Sequence, residues 1–261
     1  QGAKSLASTE AHVARVSSGA WTLTVNEYSE GEEAVDPGRN HQGASVPEAA
    51  LKSDQQFVAA AQAYAHKVLP DTALSASLYP YKVRKYFNAH SSGGTEVVDG
   101  VYQVAVAFNT TIDDLPVIGP GGKIAIEMVP SDMSVVRHET GLRRARAVVH
   151  LIRGDVDLVS PDDAEKKVNA RLDGRGIDRS KFHVYRREFG YFAYGRKSIQ
   201  TVLVPHYAFF FEPLPGTISK VLVEVEPATT DKAVLEAIAA DRDAEVKRKL
   251  PTMATPTAKR G

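Results

Sequence analysis

The residues with the widest range of chemistry in this sequence are its eight histidines, and they show no metal-ligand spacing. His138-Glu139 matches the start of a zinc-protease helix, but the second histidine of that motif is replaced by Leu142. The chain has no cysteine, which excludes disulfides, thiolate zinc sites and cysteine catalysis. We therefore predict no metal, no cofactor and no catalytic residue. Because distant histidines can still meet in space, the alternative is a small metal-dependent hydrolase that uses clustered histidines. The candidate histidines for such a metal site include His66, His90, His138, His150, His183 and His206.

Two pairs of adjacent acids are candidates for acid–base chemistry, since different environments can separate the pKa values of two carboxyl groups. The pairs are Asp113-Asp114 and Asp162-Asp163. Neighbouring residues on a strand point to opposite faces of the sheet, and the second pair follows Ser160-Pro161, a typical helix start. The sequence also lacks the Gly-x-Ser-x-Gly motif of hydrolases. A non-enzymatic protein is expected.

A glycine-rich corner, Ile118-Gly-Pro-Gly-Gly122, has the composition of a phosphate-binding loop. Such a loop needs several backbone N–H groups at the start of a helix, whereas an alternating strand pattern follows here and Pro120 lacks an N–H. We predict that Pro120, Gly121 and Gly122 form a structural turn with positive φ at Gly121 or Gly122.

The most suggestive binding stretch is aromatic and basic, and covers 182–197 together with 206–213. Tyrosine and arginine are enriched at protein interfaces. The alternative is a meander with one aromatic face in the core. The basic segment 142–146 is expected to be a solvated strand end. The predicted binding residues are Tyr185, Arg187, Tyr191, Tyr194, Arg196 and Tyr207.

These residues need elements to position them, and hydrophobic periodicity predicts strands and helices in two series. Each series has a helix followed by strands. Ser53 or Asp54 is the expected N-cap of the first helix, and Ser160 is that of the second. A last helix covers 231–250, with Leu235 and Ile238 among its apolar positions. The other predicted elements are a polar arm at 1–20, a loop at 30–50, an extended apolar segment at 144–153, and strands at 21–27, 77–90 (broken by Pro80), 95–112, 123–129, 133–139, 182–195, 198–213 (with Pro205 at an edge or bulge) and 220–227.

Helices and strands are segregated in this order, which predicts an α+β fold with antiparallel sheets. Two lobes are expected, each with a helix packed on a curved antiparallel sheet, plus a C-terminal helix. The predicted divisions are an arm, strand and long loop at 1–50, a first lobe at 51–155, a second lobe at 156–230, and the helix with a polar tail at 231–261.

Three segments resemble exported two-domain PepSY-like proteins, in particular the YycH/YycI-type regulators. They are SDQQFVAAAQAYAHKVLP, VYQVAVAFNTTIDDLPVIGPGGKIAIEM and VVRHETGLRR, within 53–213. The most specific part is 115–123. The family usually has a tryptophan near the end of the second hairpin strand, where this chain has Leu142-Arg143-Arg144. The resemblance implies a helix before a curled antiparallel sheet and a non-enzymatic regulatory role.

Composition restricts the classes of partner that this chain is expected to bind. Basic and acidic residues number 32 each, so electrostatics favours neither nucleic acid nor an anionic membrane. No apolar run reaches about 18 residues, so no membrane span is expected. Gln1 suggests cleavage of a signal peptide and a secreted, cell-surface or periplasmic protein. Two roles are expected as alternatives, a structural subunit of an extracellular assembly or a regulatory binding module. The expected partners are other protein subunits or further copies of this chain, bound through sheet edges and polar ends such as 1–20 and 252–261.

Overall fold

The protein has an α+β fold of two sheets and three helices in the part of the chain that the computed structural model describes. That part comprises residues 4–7, 13–26, 31–40, 44–69, 77–92, 94–142, 158–195, 198–216 and 220–249. The helices are α1 (Asp54–Val68), α2 (Pro161–Gly174) and α3 (Lys232–Lys249). The strands are β1 (Lys4–Ala7), β2 (Val13–Ser18), β3 (Trp21–Asn26), β4 (Glu32–Val35), β5 (Tyr79–Ser92), β6 (Thr95–Asn109), β7 (Thr111–Ile112), β8 (Leu115–Ile118), β9 (Lys123–Met128), β10 (Val135–Thr140), β11 (Phe182–Phe192), β12 (Pro205–Pro213) and β13 (Leu222–Pro227).

Sheet 1 has eight strands in the order β1-β2-β3-β4-β10-β9-β6-β5, and every neighbouring pair is antiparallel. Sheet 2 has five strands in the order β13-β12-β11-β8-β7. Its pairs are antiparallel except for β8 and β11, which run parallel. Strands β5 and β13 are therefore edge strands of their sheets.

Helix α1 begins where the sequence predicts, because Ser53 caps it. The Ser53 hydroxyl accepts from the Gln56 N–H, and the Gln56 side chain accepts from the Ser53 N–H at 2.9 Å. Removing such a cap costs about 1 kcal/mol. The helix buries Phe57, Ala61 and Ala65 against sheet 1. Complete burial of a phenylalanine side chain contributes about 1.5–3 kcal/mol.

Helix α2 also begins at its predicted cap, where the Asp163 N–H donates to the Ser160 hydroxyl at 3.1 Å. It covers one face of sheet 2. The buried side chains that meet there are Ala164, Val168 and Leu172 from α2, with Phe209 and Phe211 from β12.

Helix α3 packs on the chain just before β12. Val234 and Ile238 form a small cluster with Val204, while Leu235 is exposed. The Asp241 carboxylate accepts hydrogen bonds of 2.8 Å from the N–H and the hydroxyl of Thr201. The buried face thus includes Ile238, as predicted, but has Val234 in place of Leu235.

The predicted polar arm and the long loop are wrong in part, because both contain strands of sheet 1. Strands β1 and β2 lie within 1–20, and β4 lies within 30–50. Their residues are mostly small or charged and show little hydrophobic alternation, so periodicity does not reveal them. They are stabilised by cross-strand pairing instead. The segments 144–153 and 252–261 lie outside the described residues.

Two prolines act differently from their predicted roles. Strand β5 continues through Pro80, with only a register irregularity between Pro80 and Lys82. The strand predicted at 198–213 begins only at Pro205, and it is central in sheet 2. The edge assignment for Pro205 was therefore wrong, since a proline that starts a strand need not donate to the ladder.

Strand pairing does not follow the predicted divisions. Strands from 1–50 complete sheet 1, and β7 and β8, which precede the predicted boundary near 155, join sheet 2. The chain therefore passes from sheet 1 to sheet 2 after β6 and returns to sheet 1 at β9.

The return takes place at the glycine corner, Ile118–Gly122, where Pro120–Gly122 form a single 3-10 turn. The positive φ is at Gly119, +90°, and not at Gly121 or Gly122 as predicted. The Gly121 N–H donates to the Ala193 carbonyl oxygen at 3.0 Å. The Ala193 N–H donates in turn to the Ile118 carbonyl oxygen at 2.9 Å.

The corner needs glycine because another backbone lies against it. A Cβ on Gly121 would lie 1.7 Å from the Tyr194 carbonyl oxygen, and one on Gly122 would lie 2.4 Å from a Val117 methyl group. A Cβ on Gly119 would lie 2.6 Å from the Ala193 carbonyl oxygen. No heavier residue fits at any of the three positions without displacement of a main chain.

Gly121→Ala is expected to lower the free energy of unfolding by about 3 kcal/mol, since the added methyl group must displace the backbone at Tyr194. Gly174→Ala is the matched control, because no atom lies within 4 Å of its Cβ position at the end of α2. It should change stability by less than about 1 kcal/mol. Urea unfolding measures the stability of both variants, and equal stabilities would contradict the close packing at Gly121.

Candidate functional site

The two sheets meet in a cleft with a volume of about 400 Å³, within the range of about 300–1,000 Å³ that is usual for ligand pockets. We call it the junction cleft. Its lining comes from both sheets and from the glycine corner. The polar and aromatic lining residues are Tyr81, Asn109, Lys123, Arg186, Glu188, Phe192 and Phe210, with Val223 and Val225 on β13.

Two cations in the junction cleft lie over aromatic rings. The Lys123 ammonium group is 4.5 Å from the centroid of the Tyr81 ring, and the Arg186 guanidinium carbon is 4.0 Å from that of Phe210. Arg186 also reaches the Tyr81 hydroxyl at 3.4 Å and the Glu188 carboxylate at 3.3 Å. Stacking of this kind holds a cation in place without neutralising it.

Charge in the cleft is not balanced. Glu188 is its one acid among the described lining residues, against two cations. Arg186 has that carboxylate as a partner. Lys123 forms no ion pair with any residue that the structure describes.

Two polar atoms of the cleft are buried without a hydrogen-bond partner in the described structure: Oδ1 of Asn109 and Nε of Arg186. Asn109 is only 5% exposed. A buried polar atom left unsatisfied typically costs about 1–3 kcal/mol. The pair consists of one acceptor and one donor, so a ligand with both kinds of group would satisfy them.

A β-bulge decides which side chains of β11 enter the cleft. Val184 pairs with Phe211, and Arg186 pairs with the next residue, Phe210, so that Tyr185 is the extra residue. After the bulge Arg186 and Glu188 line the cleft. Arg187, which lies between them, faces α2.

Three of the predicted binding residues lie on that opposite face. The Arg187 guanidinium donates to the Glu165 carboxylate of α2 at 2.8 and 2.9 Å. Tyr207 packs with Phe189, with ring centroids 5.0 Å apart, against the core under α2. Tyr191 alternates with the cleft residues, and burial followed by the charge of Asp113 raises the pKa of its hydroxyl.

The other predicted binding residues lie elsewhere. Tyr185 is 47% exposed and meets the Phe210 ring edge-on at 6.1 Å, beside the cleft. Tyr194 meets Phe192 edge-on at 5.2 Å, and its N–H donates to Gln200 at 2.9 Å. Arg196 lies outside the described residues. The structure therefore does not bring the predicted set together, and their role in binding stays a prediction.

Sequence reasoning did not select Lys123, Asn109 or Arg186. A signal existed for each of them. Lys123 follows the glycine corner directly, and Asn109 ends an otherwise apolar run. Strict alternation along 182–192 also places Arg186 and Glu188 together, opposite Arg187 and Tyr191.

The described histidines do not form a cluster. Within the described part of the chain no group of three or more His, Asp or Glu side chains is placed to hold a metal ion. His138 shares a hydrogen bond of 2.9 Å with the Tyr64 hydroxyl, and His206 Nδ1 lies 2.9 Å from the Val204 carbonyl oxygen. His150 lies outside the described residues.

The densest charge cluster is centred on Arg137 and connects three strands of sheet 1. Its guanidinium donates to Glu127 at 2.7 Å, to Glu139 at 2.9 Å and to Glu33 at 3.0 Å. Burial lowers the pKa of Arg137, but the three carboxylates outweigh it and raise the pKa overall. All three acids already bind this guanidinium, so the cluster serves cross-strand pairing.

A second depression, of about 650 Å³, is shallower and lies at the start of α2. Its acid is already in use, since Asp163 accepts from Ser160 and from Lys166, both at 2.9 Å. The junction cleft, which is more enclosed and has unsatisfied polar atoms, is therefore the candidate site.

Comparison with known proteins adds little to this geometry. No family model matches the sequence, and no curated protein matches it. A solved structure of an uncharacterized protein from Eubacterium rectale is similar, with 10% sequence identity and a TM-score of 0.46, over 87% of this chain and 74% of that chain. In the described residues no helix is long and apolar enough to cross a bilayer.

Stability is expected to fall as the pH is lowered below about 6.5, because burial lowers the pKa of His138 from its usual 6.5. The unfolded chain then binds a proton that the folded chain does not, so this contribution is complete above the unfolded pKa and is lost below it. Urea midpoints between pH 7.5 and pH 5 measure the slope. His138→Gln should reduce it and His66→Gln, on the exposed side of α1, should not; a slope unchanged in His138→Gln would refute this assignment.

Proposed function

We propose that this chain is an exported, non-catalytic binding protein that holds an extended segment of a partner polypeptide in the junction cleft. Export and the PepSY-like relationship stay predictions. The observation that carries the proposal is the position of the cleft beside one edge strand of each sheet, β5 and β13. Both edges contribute lining residues, Tyr81 from β5 and Val223 with Val225 from β13.

Edge strands support this mode of binding because they offer unpaired N–H and C=O groups to an incoming strand. Strand β13 has β12 as its one strand partner among the described strands, although its Val225 carbonyl oxygen accepts a hydrogen bond of 2.8 Å from Arg171 of α2. Its residues alternate between α2 and the cleft: Leu222 packs under α2, and Val223 lines the cleft. A strand added at this edge would place alternate side chains in the cleft.

Exposed apolar side chains near this edge support a protein partner. Val223 is 51% exposed and Val221 is 49% exposed on β13 and just before it, and Tyr81 is 39% exposed on β5. Apolar residues grouped at the rim of a pocket are typical of binding surfaces. The enzyme alternative has no such support, since the described histidines lie on separate elements.

Val223→Lys is expected to weaken peptide binding at least tenfold, because it places a charge at the apolar mouth of the cleft. A random library of displayed linear decapeptides is selected on the wild-type protein, and fluorescence anisotropy then measures the enriched peptides. Val98→Lys is the matched control: Val98 has a similar exposure, 56%, but lies towards the far end of the β5–β6 hairpin.

The control should bind as the wild-type protein does. The proposal fails if no peptide is enriched, or if both variants bind equally well. A loss in Val98→Lys alone would move the binding surface to the hairpin.

A further inference from the structure

Resting on the proposed function, we infer that the junction cleft selects acidic segments: a glutamate or aspartate side chain of the bound polypeptide lies between Lys123 and Arg186. Three features of the cleft support this selection: its unbalanced charge, its unsatisfied polar atoms and its aromatic walls.

The two cations are arranged to receive one carboxylate. Lys123 has no acid partner in the described structure, and Arg186 has a buried Nε with none. Both lie against the same ring, because Lys123 stacks on Tyr81 and Arg186 contacts the Tyr81 hydroxyl at 3.4 Å. A carboxylate accepts two or more hydrogen bonds at once, and those from cations are the strongest.

Asn109 supplies the complementary group. It lies directly opposite Lys123 in the β6–β9 pairing, and its buried Oδ1 is an acceptor without a partner in the described structure. A carboxylate cannot donate a hydrogen bond to this oxygen, whereas a peptide N–H can. The cleft therefore fits an acidic residue presented by a polypeptide better than a free inorganic anion.

The walls around these groups are apolar. Phe210 lies under Arg186, and Val223 and Val225 are also lining residues. Low polarity around a charge pair strengthens its attraction. The negative charge of Glu188 repels a second carboxylate, so the site fits a ligand group with a single negative charge.

Two decapeptide libraries test this inference: one with glutamate at a fixed central position and random residues elsewhere, the other with glutamine there. The glutamate library should bind about tenfold more tightly, since a hydrogen bond to a charged group contributes about 1.5–3 kcal/mol. Lys123→Met and Asn109→Asp should each remove most of that preference. Asn109→Asp changes the shape very little, but it places a negative charge beside Lys123.

Lys166→Met is the control, because Lys166 lies on α2 and pairs with Asp163. It should keep the glutamate preference, and circular dichroism checks that each variant is folded. Equal binding of both libraries to the wild-type protein, with glutamine peptides still weakened by Val223→Lys, would overturn this inference alone. No binding by either library would overturn the proposed function as well.

Discussion

The close approach of two backbones at the glycine corner is the contact on which the rest of the structure depends. The segment that returns from sheet 2 to sheet 1 lies against the end of β11. There the Gly121 N–H donates to the Ala193 carbonyl oxygen at 3.0 Å, and the Ala193 N–H donates to the Ile118 carbonyl oxygen at 2.9 Å. Three glycines leave no room for side chains there. Because the chain leaves sheet 1 between β6 and β9 only to form β7 and β8, this contact fixes where the edges of the two sheets meet. The junction cleft lies at that meeting point.

The cleft gathers groups that are costly to place in a folded protein. Asn109 is buried with an unsatisfied oxygen, and of the two cations only Arg186 has an acid partner, Glu188, among the described residues. The same chain satisfies comparable groups elsewhere, as Arg137 does with its three carboxylates. Nε2 of His206 is also buried without a partner in the described structure, but it does not line the cleft, where two such atoms face one enclosed space as is typical of binding sites. This contrast is the physical basis of the proposed function.

Local chemistry in the sequence predicts much of the fold. The serine caps at Ser53 and Ser160 locate α1 and α2, and alternation locates most strands of 79–140. Strands β1, β2 and β4 are missed because cross-strand pairing, not side-chain pattern, stabilises them. The site is predicted less well: the bulge at Tyr185 and the pairing of Asn109 with Lys123 depend on register between distant segments. The sequence predicts the glycine corner as a turn, but it does not predict the contact of that turn with Tyr194.

Amide hydrogen exchange at the glycine corner tests the central claim most directly. If backbone contact there unites the sheets, the amides of Gly121 and Ala193 open only on global unfolding. Their protection, read by NMR, should then match that of core amides such as Val106, which is fully buried in sheet 1. Exchange at the rate of an exposed turn, with the core amides still protected, would contradict the account.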